Sequence, residues 1–142
     1  MKTIIENFNS IGKKIIVVAS SGIASFFLPN GSTAHSPFKI PLNATSTSTC
    51  NIPLRSNIAS EIKKTDLIIW DEAPIHFRFV YKSVDRSLRD IRKNVDPNLV
   101  ILDFGGIVTV LAGDFRQIIP VIKRGTSAQI LSTSLKKIIF GR

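Results

Sequence analysis

The chain is poor in the residues that build metal and disulfide frameworks: of 142 residues, one is cysteine and two are histidine. Cys50 cannot close an intrachain disulfide, and so few sulfur and imidazole ligands leave no zinc constellation, so a reducing compartment fits best. Acid is scarce too, with 10 Asp and Glu against 19 Lys and Arg, a formal charge of +9. Such an excess attracts polyanions over long range and makes nucleic acid the leading partner, although charge by itself weighs that reading and plain solubility about evenly. Long hydrophobic runs are missing. Residues 15–28, behind Lys13-Lys14, imitate a signal peptide, but Ser20-Ser21-Gly22 interrupts the run and its 14 residues fall short of a membrane span, which needs about 20. An apolar content of 44% with 20% charged residues is ordinary for a globular chain, which argues against disorder and fibres and for one domain, or part of one, with a real core.

What is there alternates between two periods. Ile4, Ile5 and Phe8 recur at helical spacing over residues 3–10, and Gly12 ends that element. Ile15-Ile16-Val17-Val18-Ala19 reads as a parallel strand covered on both faces. Ser20 or Ser21 can cap a short helix running to Leu28, and Pro29-Asn30-Gly31 makes a turn. Residues 32–57, rich in Ser, Thr, Pro and Asn, read as a long loop with at most one small strand. A helix over 58–65 then feeds a strand over 66–70. The spacing predicts the longest helix over 75–93, with Phe77, Tyr81, Val84, Leu88 and Ile91 inward and Arg78, Lys82, Arg86, Arg89 and Lys93 along one side. Asp96-Pro97-Asn98 breaks it, a strand follows over 107–112, Pro120 closes the next segment, and residues 127–135 can form a last helix. Strands alternating with helices predict an α/β layered fold with a mainly parallel sheet and right-handed crossovers.

Two of those strands end in polar groups. Leu67-Ile68-Ile69-Trp70 runs into Asp71-Glu72-Ala73-Pro74, and Ile107-Val108-Thr109-Val110-Leu111-Ala112 runs into Gly113-Asp114-Phe115-Arg116-Gln117. Ligands of open α/β sheets bind beyond the carboxyl ends of the strands, so one shared crevice is expected, with a metal-bound phosphate as its ligand. There Asp71 would hold a magnesium ion and Glu72 would orient or deprotonate the attacking water. The bland alternative is that both acids cap the helix that follows. After so clean a β-run, and with a second polar strand end in the chain, the shared-site reading prevails.

Val18-Ala19-Ser20-Ser21-Gly22-Ile23-Ala24-Ser25, Thr33-Ala34-His35-Ser36, Ile69-Trp70-Asp71-Glu72-Ala73-Pro74 and Gly113-Asp114-Phe115-Arg116-Gln117, in that order, resemble the Pif-one-like DNA helicases, most closely those related to Helitron transposon helicases. The resemblance covers the chain from about Lys14 to Ile122. It implies a RecA-like, ATP-driven motor that moves 5′ to 3′ along single-stranded DNA and opens forks, with family roles in DNA repair, recombination and telomere maintenance. It implies that Asp71 coordinates magnesium, that Glu72 activates water, that Gln117 senses the γ-phosphate of ATP, and that Asp114 and Arg116 belong to the nucleotide side of the site. Ser20, Ser21 and Gly22 match one DNA-contacting loop, and His35 with Ser36 a second. Small residues let backbone amides and hydroxyls approach phosphates without reading sequence. Phe38 beside Lys39 offers a stacking face with a neighbouring charge, against the alternative of core packing. His35 is as well read as a hydrogen-bonded structural histidine, and Arg116 either reaches a phosphate or pairs with Asp114.

The chain departs from the family in one large respect. The Gly-rich loop G-x-x-x-x-G-K-[ST], whose amides and lysine hold nucleotide phosphates, is not among these residues: around Gly12-Lys13, Lys14 stands where Ser or Thr is required and Asn7 where the first Gly should be. The expectation is a first motor lobe that starts after that loop and its strand, without the second lobe, and deficient in catalysis on its own. The alternatives are a non-catalytic, basic single-stranded-DNA-binding module and an unrelated α/β nucleotide-binding domain. The compartment expected is intracellular, the nucleus ahead of the mitochondrion.

Overall fold

The computed structural model describes residues 1–114; Phe115, Arg116, Gln117, Pro120 and the helix expected over 127–135 lie outside them. Four parallel strands form one sheet in the order β2-β1-β3-β4, with β1 at Ile15–Ala19, β2 at Ser32–Thr33, β3 at Leu67–Asp71 and β4 at Val108–Leu111. The α/β class and the parallel sheet are as expected. Register runs Ile15↔Leu67 to Ala19↔Asp71 across β1 and β3, and Leu67↔Val108 to Trp70↔Leu111 across β3 and β4. Leu67, Ile68, Ile69 and Trp70 are all buried, as a central parallel strand covered on both faces requires.

Alternation along the strands divides the core in two. Val18, Ile68 and Trp70 point to one face, where they pack with Phe38, Tyr81, Val84, Leu88 and Ile91. Val17, Leu67 and Ile69 point to the other, under Ile5 of helix α1, Lys2–Ser10. Short helix α2, Gly22–Phe26, follows β1, capped by Ser21, whose Oγ accepts from Ala24 N. The stretch expected as one long loop contains β2 and a single helical turn, α3, His35–Phe38, before an irregular path to α4, Asn57–Lys64.

The longest helix is shorter than its periodicity predicts. Helix α5 spans Arg78–Arg92, while Ala73–Ile75 forms a separate 3₁₀ turn that contains Pro74. Phe77 is the N-cap and stands 43% exposed, so it leaves the inward stripe, and Val80, Ser83 and Ser87 join it. The basic side of α5 is largely spent on structure. Arg86 donates to the Ser46 and Ser48 carbonyls and so straps the preceding loop; Arg89 binds Asp85 at 2.9 Å and Asp103 at 2.6 Å; Arg92 donates to the Lys63, Thr65 and Gly105 carbonyls. Lys93 pairs with Asp90 at 3.1 Å. Among the described residues no helix is long and apolar enough to cross a membrane.

Candidate active site and nucleic-acid interface

The sheet delivers three chain segments to one edge. Beyond the strands the ladder continues for one more residue: Ser20 N donates to Asp71 O at 3.0 Å, Ala112 N to Trp70 O at 2.8 Å and Ala73 N to Ala112 O at 2.8 Å. Ser20-Ser21, Asp71-Glu72 and Gly113-Asp114 therefore lie side by side at the carboxyl end. Gly22 opens α2 and is exposed, as is Asp114. The Ala34 N–H donates to Ala19 O at 2.9 Å, so His35 and Ser36 come to the same end of the sheet.

Side chains knit the edge together. Ser21 Oγ donates to Glu72 Oε2 at 2.5 Å. Asp71 Oδ1 accepts the Glu72 N–H at 2.9 Å, which leaves its second oxygen for another partner. Neither acid caps α5, and Glu72, at the start of the 3₁₀ turn, makes no side-chain cap bond there. Its backbone is left-handed, φ 49° and ψ 33°, a conformation that costs a non-glycine residue about 1 kcal/mol or more and persists only where the surroundings enforce it. Gly113 supplies part of the enforcement: at φ 145°, a Cβ on it would lie 2.6 Å from Pro74 Cδ and 3.3 Å from both Ala73 N and Glu72 Cα. Only glycine lets the end of β4 close on this turn.

Beneath the edge sits an aromatic layer. Trp70 Nε1 donates to Ser20 Oγ at 3.0 Å, and the buried Tyr81 hydroxyl donates to the Ala73 carbonyl. Burial pushes the Tyr81 phenol up. The His76 ring lies 5.2 Å from His35, 5.8 Å from Trp70 and 6.4 Å from Tyr81. Burial, with a smaller contribution from His35, holds His76 down at about 4, so it is neutral near pH 7. Sequence reasoning missed Trp70, His76 and Tyr81 as supports of the site; a lone tryptophan directly before the acids was the available signal.

Phe38 requires a correction. It is fully buried and stacked on Trp70 at 5.7 Å, so its ring has no face left for a base and belongs to the core. Lys39 next to it is exposed and left-handed, φ 49°. Ser36 is exposed and His35 half-buried. Arg116 and Gln117 lie outside the described residues.

The magnesium expected from the sequence can be tested on the donors present. Among the described residues no group of three or more His, Cys, Asp or Glu can hold a metal ion. The half-buried carboxylate of Asp71, whose second oxygen takes no hydrogen bond among the described residues, suits a hard cation that brings most of its oxygen ligands as phosphate and water.

Comparison with known proteins matches the whole arrangement to one family. The model for "PIF1-like helicase" aligns with residues 1–139. The ATP-dependent DNA helicase RRM3 of Saccharomyces cerevisiae is 33% identical over 128 residues, covering 87% of this chain and 17% of that protein. The ATP-dependent DNA helicase Pif1 of a Psychrobacter species is 32% identical over 115 residues, covering 80% and 16%. Among solved structures, Pif1 of Bacteroides bound to single-stranded DNA superposes with a TM-score of 0.67 at 27% identity, over 95% of this chain and 29% of that one. The chain thus spans about a sixth of the length of the curated relatives it matches. A RecA-like sheet, an acid pair at its edge and a match along almost the entire sequence make this chain a member of the PIF1-like helicase family.

Proposed function

We propose that these residues form part of the first motor lobe of an ATP-dependent 5′-to-3′ DNA helicase, where they join the nucleotide side of the site to the DNA track. The observation that carries this reading is the register Ala19↔Asp71, which sets the DNA-motif serines beside the acid pair, closed by the bond from Ser21 to Glu72. In this reading Asp71 holds the magnesium ion that arrives with ATP, an ion that neutralises phosphate charge when bound. Glu72 orients the attacking water, and Asp114, Arg116 and Gln117 take the nucleotide-side roles that the family motif implies. Ser20, Ser21, Gly22, His35, Ser36 and Lys39 meet the backbone of single-stranded or forked DNA. Work in DNA repair, recombination and telomere maintenance follows from the same reading. So does a reducing, DNA-containing compartment, the nucleus before the mitochondrion, which suits a lone cysteine that is buried and whose thiol burial pushes up.

Without a Gly-rich phosphate loop among its residues, this chain on its own is expected to turn over ATP negligibly, because positioning and charge neutralisation at the phosphates each contribute orders of magnitude in rate. A steady-state ATPase assay with single-stranded DNA tests this, and turnover that Glu72→Gln abolishes would overturn it. DNA contact is tested separately by affinity for a single-stranded oligonucleotide across a salt series. Affinity should fall steeply as salt rises, and no binding at low salt removes the DNA track from the reading.

A further inference from the structure

Ser21 has one hydroxyl proton, and Glu72 holds it. The same oxygen accepts from Ala24 N at 3.2 Å, so one acceptor position is occupied and the donor is committed at 2.5 Å. A serine hydroxyl donates only once, whereas a carboxylate and a phosphodiester oxygen are both acceptors. A DNA phosphate that takes a hydrogen bond from Ser21 therefore takes it from Glu72. Like charge sharpens the exclusion, because a phosphate at Ser21 would stand beside the Glu72 carboxylate and repel it.

What gives way is the Glu72 side chain. Its backbone is pinned on both sides, by the Glu72 N–H bond to Asp71 Oδ1, by the Ala73 N–H bond to Ala112 O, and by Gly113 packed against Glu72 Cα and Pro74. We infer that Ser21 is a positioning residue that restrains Glu72 until DNA claims its hydroxyl, so that DNA binding frees the carboxylate. The inference rests on the reading above, in which Ser21 meets DNA and Glu72 meets water. It adds to that reading a physical link between them: one proton shared by two acceptors that cannot both have it. Such a link is reciprocal, so removing Glu72 must strengthen DNA binding through Ser21.

The test is a double-mutant cycle on the 142-residue chain, read as affinity for a fluorescent single-stranded oligothymidylate at low salt. Glu72→Ala should tighten binding by roughly fivefold or more where Ser21 is present. In the Ser21→Gly background, which has no hydroxyl and gives up the bond from Ala24 N but is well tolerated at an N-cap, the same change should give less than about a twofold gain. That remainder is the loss of one negative charge, which both backgrounds share. Ser21→Thr, with its hydroxyl, should restore the full difference. Equal gains in the Ser21 and Ser21→Gly backgrounds overturn the inference while leaving the DNA-binding reading intact. Absence of binding by the unaltered chain at low salt overturns both.

Discussion

The two faces of the sheet are built differently. On one, Trp70, Phe38, Tyr81, Val84, Leu88 and Ile91 form a thick layer with polar handles, and two of those handles, Trp70 Nε1 and the Tyr81 hydroxyl, reach up to Ser20 and the Ala73 carbonyl. On the other, Ile5, Val17, Leu67 and Ile69 form a small apolar cluster, while Val108 and Val110, which share its face through their register with Leu67 and Ile69, stay 64% and 39% exposed. Both faces bury strand β3, and among the described residues it is the first whose side chains bond to the carboxyl ends of the strands. The comparison teaches that core and site are one structure on the aromatic face and separate on the α1 face, so equal losses of packing should have unequal effects on the site.

The largest effect expected is that of Trp70→Ala. It deletes a fully buried ring and the donor to Ser20, at a cost of about 3–5 kcal/mol, read as a lowered urea midpoint with weakened oligonucleotide binding. Ile5→Ala, on the thin face, should cost about 2–3 kcal/mol and leave DNA affinity per folded molecule unchanged. A greater loss from Ile5→Ala than from Trp70→Ala would break the comparison. Tyr81→Phe removes one of two donors to the Ala73 carbonyl at the turn after Glu72 and leaves the His76 N–H at 3.3 Å, a loss worth about 1 kcal/mol. It should disturb DNA binding more than its stability cost suggests.

A smaller effect should come from pH. Folded His76 is held at about 4 against an ordinary 6.5, so between those values the unfolded chain binds more protons and stability falls as pH drops. The contribution is complete above about 6.5, lost progressively through the window, and flat below about 4. Denaturation midpoints from pH 7 to pH 4 should slope less in His76→Phe than in the unaltered chain, and parallel slopes would show that burial of this ring does not govern it. The smallest effect is expected for Val108→Thr, within about 0.5 kcal/mol, since the exposed position buries little.

Much of the architecture was legible because its signals are local. Ile15-Ile16-Val17-Val18-Ala19 and Leu67-Ile68-Ile69-Trp70 are β-branched or bulky apolar runs, and they form the two central strands. The place of the acid pair at a strand end was legible for the same reason, since it follows a strand directly. Aromatic residues were harder. Phe38 lies next to a lysine in a polar stretch, where stacking on a base and core packing both fit, and it is core; Phe77 fits the helical stripe of α5, yet it is the half-exposed cap. Periodicity could not see that Pro74 and a left-handed Glu72 delay the helix, because part of what enforces that turn is Gly113, which arrives from just beyond β4.

The sequence by itself determined the order of strands and helices, the placing of acids and serines at strand ends, and the excess of positive charge, since each of these depends on neighbouring residues or on a sum. Tertiary structure alone decided which partners those groups take. Ser21 and Glu72 are 51 residues apart and Arg86 and Ser48 are 38 apart, and a hydrogen bond over such a span exists only once the sheet register and the packing of α5 have brought both ends within about 3 Å.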